Sequence, residues 1–324
     1  MTTYSPAYAG PVDIATFGPY GPGRLDRVTD RPIYPFQNRI TADGSSGYLA
    51  EPGRYHLYLA YICPWAQRVA IIRDLSGLRD VVSLSYVDDA RDSRGWAFRE
   101  NRGPDPVNGF SFLAEAYEAT EAGYPGHISV PTLWDRQTGT VVSNDYPEIP
   151  IDLGTQFAAH AEAGLDLYPE ASRAEIIAFD EEIARDFSLA AHGVGRAATQ
   201  EEYEERRAGV IAALDRFDAR LADRRYLFGD DVTASDVQLF VALVRFDLLT
   251  NPRNGVSERR LPDYPNLWRY ARDLYRIPAF RETTDFAAFQ PAGPIEHPDD
   301  GVNRIVVEPH LADWELGPTP AAVE

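Results

Sequence analysis

The amino-acid sequence predicts a two-domain protein in which a small α/β domain precedes an all-helical domain. Its 324 residues are long for one compact domain and comfortable for two. Residues 54–87 show a strand, a helix and a second strand in succession, which is the order of a βαβ unit. From Pro169 onwards, apolar residues recur instead at helical spacing.

The α/β domain is predicted over residues 51–160. Residues 55–59 alternate and are rich in strand-forming side chains, which indicates the first strand. A helix is predicted from Pro64 to about Ser76, with Gly77 ending it. A second strand is predicted over residues 81–87, followed by an inserted loop over 88–128 that carries a short helix at 112–120. An antiparallel hairpin over 129–142 and a closing helix over 144–157 complete the domain. This order is that of a thioredoxin-like domain.

Three further segments complete the chain. Residues 1–50, rich in Pro, Gly, Tyr and Asp, are predicted to form an irregular N-terminal extension, and residues 286–324 a C-terminal tail. Residues 165–285 are predicted to be all-helical, with Thr233 and Asp236 at capping-box spacing. The helices expected there cover residues 171–191, 200–221, 234–249 and 264–275.

Charge and cysteine content exclude several classes of function. The formal net charge is −19, which disfavours nucleic acid and anionic membranes as partners. A single cysteine rules out a disulfide framework within the chain, and the six histidines lack metal-ligand spacing, so no metal is expected. The N-terminus lacks the pattern of a signal peptide and no stretch is apolar enough to span a membrane, so a cytoplasmic protein is expected.

Cys63 is the candidate catalytic residue. Pro64 favours the first helical position, which places Cys63 at the N-cap of the predicted helix. Backbone N–H groups without helical partners and the positive end of the helix dipole then favour the thiolate, which is the nucleophilic form. A lone cysteine is more often a small buried apolar residue, but its position at a helix start favours the functional interpretation.

Candidate binding residues lie at three other points. Val130-Pro131 begins the hairpin, where a thioredoxin-like domain usually has a cis proline that exposes the preceding backbone N–H and C=O to an extended peptide. Asn144 and Asp145 are expected to open the closing helix, where amides suit a carboxylate and Asp145 suits an ammonium group; an ordinary N-cap is the alternative. Trp96 either lines the thiol site or anchors the inserted loop.

Several segments together resemble the xi-class glutathione transferases, the glutathionyl-hydroquinone reductases. The resemblance runs from about residue 20 to about 285 and includes the tetrapeptide Cys-Pro-Trp-Ala at residues 63–66. Its segments are 54–58, 61–68, 129–135, 226–230, 243–247 and 263–268, with Thr233 and Asp236. It implies an all-helical glutathione-transferase C-terminal domain and a homodimer.

The resemblance also implies a reaction. In that family the cysteine attacks the glutathione sulfur of a glutathionyl-hydroquinone, the quinol leaves, and a second glutathione releases the enzyme from the mixed disulfide. It implies Cys63 as the catalytic residue, with thiol contacts from Trp96, Val130, Pro131 and residues 144–146, that is Asn144, Asp145 and Tyr146. The expected co-substrate is glutathione or another low-molecular-weight thiol, and the expected substrate is an aromatic thioether or quinol.

Departures from the family pattern motivate the alternatives. Asp145-Tyr146-Pro147 stands where the family has Glu-Ser-Ser, and residues 192–196 lack the family's quinol-binding tyrosine. Residues 287–290 also replace an aromatic segment. A transferase, lyase or isomerase acting on a specialised metabolite is therefore the second hypothesis. A non-catalytic ligand-binding relative is the third, since one scaffold supports many functions.

Overall fold

A computed structural model of the chain describes residues 8–21, 32–291 and 293–315. The chain divides into two compact units, one ending at Leu165 and the other beginning at Asp166. Parts of the predicted extension and tail, residues 1–7, 22–31 and 316–324, lie outside the described residues. No helix within the described ranges is long and apolar enough to cross a membrane.

The first unit is built on a four-stranded sheet in the order β2-β1-β3-β4. Its strands are β1 (Tyr55–Leu59), β2 (Ser83–Tyr86), β3 (Thr132–Asp135) and β4 (Thr140–Ser143). Strand β1 pairs in parallel with β2 and antiparallel with β3, and Leu57 stands opposite both Leu84 and Leu133. Every residue of β1 is buried, as expected for a central strand covered on both faces.

Helix α2 (Pro64–Leu75) connects the two parallel strands, which confirms the predicted βαβ unit. Pro64 occupies its first position, and Gly77 follows its end with φ +71°, a conformation that glycine adopts readily. The helix packs against α4 (Glu148–Gln156). Its buried residues are the apolar Ala66, Val69, Ala70, Ile71, Ile72 and Leu75 together with the polar Gln67, Arg68 and Arg73.

The closing helix starts four residues later than predicted. It was expected from residue 144, but α4 begins at Glu148 with Pro147 at its N-cap. Because a residue that precedes proline disfavours helical backbone, Tyr146 cannot extend the helix backwards. Pro150 falls inside the first turn, where its missing N–H would lack a helical partner in any case.

Two segments outside the sheet are bonded to the core of this unit through the buried carboxylates of Asp105 and Asp152. In the inserted segment, which carries α3 (Ala114–Thr120), Asp105 accepts a hydrogen bond of 3.1 Å from the hydroxyl of Tyr58 on β1. Before the sheet, Arg39 forms a bidentate pair with Asp152 of α4, with Nε 3.1 Å from Oδ2 and Nη2 2.6 Å from Oδ1. A short helix, α1 (Ile14–Phe17), precedes that segment.

The second unit is helical, as predicted, but several helices are interrupted. Its helices are α5 (Arg173–Ile183), α6 (Leu189–Val194), α7 (Gln200–Arg220), α8 (Ala234–Leu243), α9 (Asn251–Asn254), α10 (Pro265–Tyr275), α11 (Pro278–Glu282) and α12 (Phe286–Phe289). Single π-helical turns at Ala184–Ser188 and Phe246–Thr250 interrupt two of the four predicted helices, those over 171–191 and 234–249. The buried Asp236 closes the predicted capping box with Thr233, which caps α8.

The C-terminal tail contacts the helical unit through hydrogen bonds, such as His310 N to Asp247 O at 3.0 Å and Ile305 N to the Tyr203 hydroxyl at 2.9 Å, and through the side chain of Trp314. Trp314 is 7% exposed, and its ring centre lies 5.1 Å from that of Trp268 and 5.6 Å from that of Tyr275. Rings of Phe286 and Phe240 lie at 5.8 and 6.1 Å. These separations are typical of packed aromatic pairs, so the tail is bound here by apolar contact.

Candidate thiol site

Cys63 lies where strand β1 passes into helix α2. It is the N-cap residue, with extended backbone (φ −83°, ψ 118°), and its carbonyl accepts the first helical hydrogen bond from Gln67 N at 3.1 Å. The preceding turn is fixed by Asp89, whose Oδ1 accepts a hydrogen bond of 2.7 Å from Ile62 N. The half-exposed thiol therefore sits at the positive end of a twelve-residue helix, where negative charge is stabilised.

The second part of the site is the turn that leads into β3. The Val130–Pro131 peptide bond is cis, and the Cys63 thiol donates a hydrogen bond of 3.5 Å to the carbonyl oxygen of Val130. The predicted thioredoxin-like order of elements implied that Cys63 and Val130 lie near one another, and in the structure the two residues are in contact.

Tyr117 of α3 holds this turn from behind. Its buried hydroxyl donates to the carbonyl of Ser129 at 3.1 Å and accepts from Ser129 N at 3.3 Å. The Ser129 carbonyl also accepts from Thr132 Oγ1 at 2.6 Å. Because each of these groups is buried, the network positions the backbone on both sides of Val130-Pro131.

Asn144 is a buried residue that supports the thiol site through hydrogen bonds. Its side chain is 1% exposed, donates to Ser129 Oγ at 3.3 Å and accepts from Phe36 N at 3.2 Å. Its own N–H donates to the Phe36 carbonyl at 2.9 Å. Asn144 therefore ties the segment before the sheet to the cis-proline turn and does not open α4, as it was expected to do, because the N-cap of that helix is Pro147.

Asp145 occupies a half-buried, acidic position in front of α4. Its carbonyl accepts hydrogen bonds of 3.1 Å from the N–H groups of Glu148 and Ile149, and its own N–H donates to Ser143 Oγ. Burial raises the pKa of the Asp145 carboxyl, repulsion from Glu148 raises it further, and the guanidinium of Arg39 opposes both. A cation bound at Asp145 would relieve this repulsion, and the ammonium contact stays a prediction.

Tyr146 belongs to an aromatic cluster beside the thiol. Its ring stacks on that of Trp65 with centres 4.8 Å apart, and the ring of Tyr34 meets it edge-on at 5.3 Å. Tyr34 in turn lies 6.3 Å from the imidazole of His127. Burial raises the pKa of Tyr34 to about 12, with additional repulsion from Tyr146 and Cys63. The phenol of Tyr34 is therefore a neutral hydrogen-bond donor near the sulfur.

Trp96 lies 6% exposed in the inserted segment, and its carbonyl accepts a hydrogen bond of 3.0 Å from Leu113 N. The guanidinium of Arg91 lies over its ring, 3.8 Å from the ring centre. Burial lowers the pKa of Arg91, whereas negative charge on Tyr20 or Cys63 would raise it. Trp96 thus anchors the loop and supports a cation that interacts with the thiol.

Three residues of the site escaped the sequence analysis: Tyr34, Arg91 and Tyr117. Tyr34 lies in the irregular extension, and Arg91 and Tyr117 lie in the inserted segment, where periodicity carries no information about tertiary contacts. The short sequence separation between Arg91 and Trp96 was the one local feature that could have indicated their contact.

Comparisons with known proteins agree on one family. Residues 200–273 match the family model of the glutathione S-transferase C-terminal domain. The chain is 35% identical over 260 residues to the glutathionyl-hydroquinone reductase YqjG of Escherichia coli, covering 78% of this chain and 79% of that protein. It is 36% identical over 231 residues to the glutathionyl-hydroquinone reductase PcpF of Sphingobium chlorophenolicum, covering 71% and 74%.

Solved structures give the same result. A xi-class glutathione transferase from Natrialba magadii superposes with a TM-score of 0.79 at 34% identity, covering 87% of this chain and 89% of that one. The glutathione-bound structure of YqjG gives a TM-score of 0.75 at 35% identity, covering 78% and 86%. The predicted fold class, a thioredoxin-like domain followed by a helical transferase domain, is confirmed.

Proposed function

The chain belongs to the xi class of glutathione transferases, which includes the glutathionyl-hydroquinone reductases, and we propose that it cleaves S-glutathionyl hydroquinones through a mixed disulfide on Cys63. Two relatives carry the name of this reaction, and one was solved with glutathione bound. The observation that carries the proposal in this chain is the contact of 3.5 Å between the Cys63 thiol and the carbonyl of Val130.

The reaction divides into two sulfur displacements. In the first, the Cys63 thiolate attacks the sulfur of the conjugate, a sulfur–sulfur bond forms, and the carbon–sulfur bond breaks. Its electron pair goes to the aromatic carbon, which takes up a proton, so the hydroquinone leaves reduced. In the second, another thiolate attacks the mixed disulfide, and the electron pair returns to Cys63. One cysteine suffices for this cycle, and the chain has one.

The backbone of Val130 is our candidate for orienting the thiol co-substrate. A peptide-like thiol that lies along this backbone makes hydrogen bonds in the manner of an added strand. Its sulfur would then lie beside Cys63, because the Val130 carbonyl already contacts that side chain. We assign Trp96 and Asp145 to the rim of the same site.

The aromatic cluster of Trp65, Tyr146 and Tyr34 is our candidate for holding the hydroquinone ring. Offset-stacked and edge-on rings at about 4.5 to 7 Å attract one another, and these rings already adopt such geometry. The neutral hydroxyl of Tyr34 can donate a hydrogen bond to an oxygen of the quinol. It would take the place of the family tyrosine that residues 192–196 lack.

Turnover of glutathionyl-hydroquinone with added glutathione tests the proposal. The wild-type chain should release hydroquinone and glutathione disulfide in equal amounts, and Cys63→Ser should abolish both. Cys63→Ala serves as a matched control for residual serine chemistry. Full activity in either variant would contradict the assignment of Cys63.

A second function follows from Tyr146. Its ring, stacked on Trp65 at 4.8 Å, fills the position where the family sequence has a small serine. A remodelled thiol pocket of this kind suits a different low-molecular-weight thiol, or a transferase, lyase or isomerase reaction. Efficient turnover with glutathione in the assay above would count against this alternative, whereas turnover with another thiol alone would favour it.

We further propose that the protein works in the cytoplasm as a homodimer. A cycle that consumes a low-molecular-weight thiol requires a reducing compartment, and the cytosol supplies one. The dimer rests on the family resemblance, and light scattering coupled to gel filtration tests it directly. A monomer at micromolar concentration would overturn this part of the proposal.

A further inference from the structure

Arg91 is held between two aromatic rings next to the thiol site. Its guanidinium carbon lies 4.0 Å from the ring centre of Tyr20 and 3.8 Å from that of Trp96. Cation–aromatic attraction acts within about 6 Å, so both contacts are close. The rings come from segments 76 residues apart, Tyr20 before the sheet and Trp96 in the inserted segment. They therefore fix the cation from two sides.

The neighbouring arginines of the inserted segment are neutralised by carboxylates. They pair at 2.6 to 3.0 Å as Arg94 with Asp92, Arg99 with Asp88 and Arg102 with Asp89. Arg91 differs from them, because no carboxylate of the described residues lies within ion-pair distance of its guanidinium. Its half-buried positive charge can therefore stabilise a negative charge that forms on a neighbouring group.

Cys63 is where that negative charge develops. The hydrogen bond from the thiol to Val130 O serves the protonated sulfur alone, because a thiolate has no proton to donate. On ionisation the sulfur loses this bond and faces a carbonyl dipole, so its stability depends on positive charge. The N-terminus of α2 provides part of it. Arg91 provides another part, because Asp89, two residues before it, accepts a hydrogen bond of 2.7 Å from Ile62 N next to Cys63 and so brings this segment to the thiol, where the two charges interact.

We propose that Arg91 is a positioning residue of the thiol site, held by Tyr20 and Trp96 where its charge stabilises the Cys63 thiolate. The inference rests on the proposed function only in taking Cys63 as the reacting group. It applies to both displacements, since Cys63 attacks as a thiolate in the first and leaves as a thiolate in the second.

Most other groups around Cys63 differ from Arg91 in charge. Tyr34 and Tyr146 interact with it from the segment before the sheet and from the loop after β4, but burial raises the pKa of both phenols, which stay neutral. Burial and the charge of Arg91 lower the pKa of His127 to about 4, so this imidazole is neutral as well. The carboxylate of Asp89 is paired with Arg102. Arg68 of α2 is a second cation near this cluster, since its charge acts on Tyr146. Arg91 is the cation that interacts with Cys63 from the inserted segment.

The pH profile of Cys63 alkylation by iodoacetamide tests the proposal without any enzyme substrate. Arg91→Met should move the alkylation midpoint upwards by about one pH unit, the smaller end of the effect of a nearby opposite charge. Arg91→Lys, which keeps the charge, should restore most of that shift. Arg79→Met is the matched control, since Arg79 pairs with Asp74 near the far end of α2 and should leave the midpoint unchanged. Thermal unfolding checks that each variant is folded.

The outcomes separate this inference from the proposed function. An unmoved midpoint in folded Arg91→Met, or an equal shift in Arg91→Lys, would overturn the role of Arg91 as a charge. A shifted midpoint in a protein that turns over no glutathionyl-hydroquinone would support Arg91 and reject the proposed reaction. Turnover by the wild type with an unmoved midpoint would reject Arg91 alone.

Discussion

The hydroxyl of Tyr117 donates a hydrogen bond of 3.1 Å to the carbonyl of Ser129, the residue directly before the cis-proline turn. It also accepts from Ser129 N, so a single side chain satisfies both backbone groups of that residue. The turn that faces Cys63 is therefore held by a residue from the inserted segment. Several consequences of this arrangement are measurable.

Tyr117→Phe should weaken both the fold and thiol binding. Removing the hydroxyl leaves buried backbone groups of Ser129 without this partner, at a cost of about 1 to 3 kcal/mol. Urea unfolding should show that loss, and KM for the thiol should rise several-fold as Val130 loses its fixed position. Tyr203→Phe is the matched control. Its buried hydroxyl donates to Gly255 O at 2.6 Å in the helical unit, so it should cost stability without changing KM.

Tyr34→Phe should slow turnover while leaving the fold intact. The phenol is neutral at working pH because burial raises its pKa to about 12, and we expect it to donate to an oxygen of the bound hydroquinone. Loss of one such hydrogen bond should lower kcat/KM by about tenfold. Steady-state kinetics with a glutathionyl-hydroquinone provide the measurement, and Cys63 alkylation should be unaffected. Unchanged kinetics would assign Tyr34 to packing only.

Trp314→Ala should loosen the end of the C-terminal tail, while the hydrogen bonds of residues 303–310 keep the preceding part attached. The ring is buried among four aromatic side chains, so its removal should cost about 3 kcal/mol, as large-to-small core substitutions do. Thermal unfolding and limited proteolysis of the tail measure the effect. Leu311→Ala, at a position 47% exposed in the same tail, should change neither.

Asp247→Asn should stabilise the protein in a pH-dependent manner. Burial raises the pKa of this carboxyl from 3.8 to about 7. Between these values the folded state holds a proton that the unfolded state has lost, so the free energy of unfolding of the wild type falls as pH rises. Asn keeps an acceptor for Leu261 N, which now donates at 3.0 Å, and carries no charge. The variant should gain stability over the wild type at about pH 8 and lose that advantage at about pH 4. An equal difference at both values would contradict the account.

The order of elements in the α/β unit was predictable because local signals determine it. Proline at a first helical position and glycine after the last turn defined α2, and alternation defined β1. The start of α4 was predicted four residues too early, because Pro147 restricts the backbone of Tyr146 and the helix begins only at Glu148. The π-helical turns at Ala184–Ser188 and Phe246–Thr250 leave no periodic signal and were also missed.

The candidate site was predictable only where its chemistry is local. Cys63-Pro64 and Val130-Pro131 are each recognisable from two adjacent residues, and the resemblance to a thioredoxin-like fold indicated that they belong to one site. Tyr34, Arg91 and Tyr117 act through contacts with residues distant in sequence. Arg91, for instance, depends on Tyr20, 71 positions earlier. Asn144 was identified as a binding residue at the start of the closing helix, but its buried hydrogen bond with Phe36 was not predictable, because Phe36 lies in a segment without periodicity.

The central claim is a mixed disulfide on Cys63, and intact-protein mass spectrometry tests it most directly. The protein would be incubated with a glutathionyl-hydroquinone, and in parallel with glutathione disulfide, before and after addition of excess thiol. The account predicts one glutathionyl group on Cys63 that thiol removes, with free hydroquinone released in the first incubation. An unmodified protein whose Cys63 still reacts with iodoacetamide would contradict it.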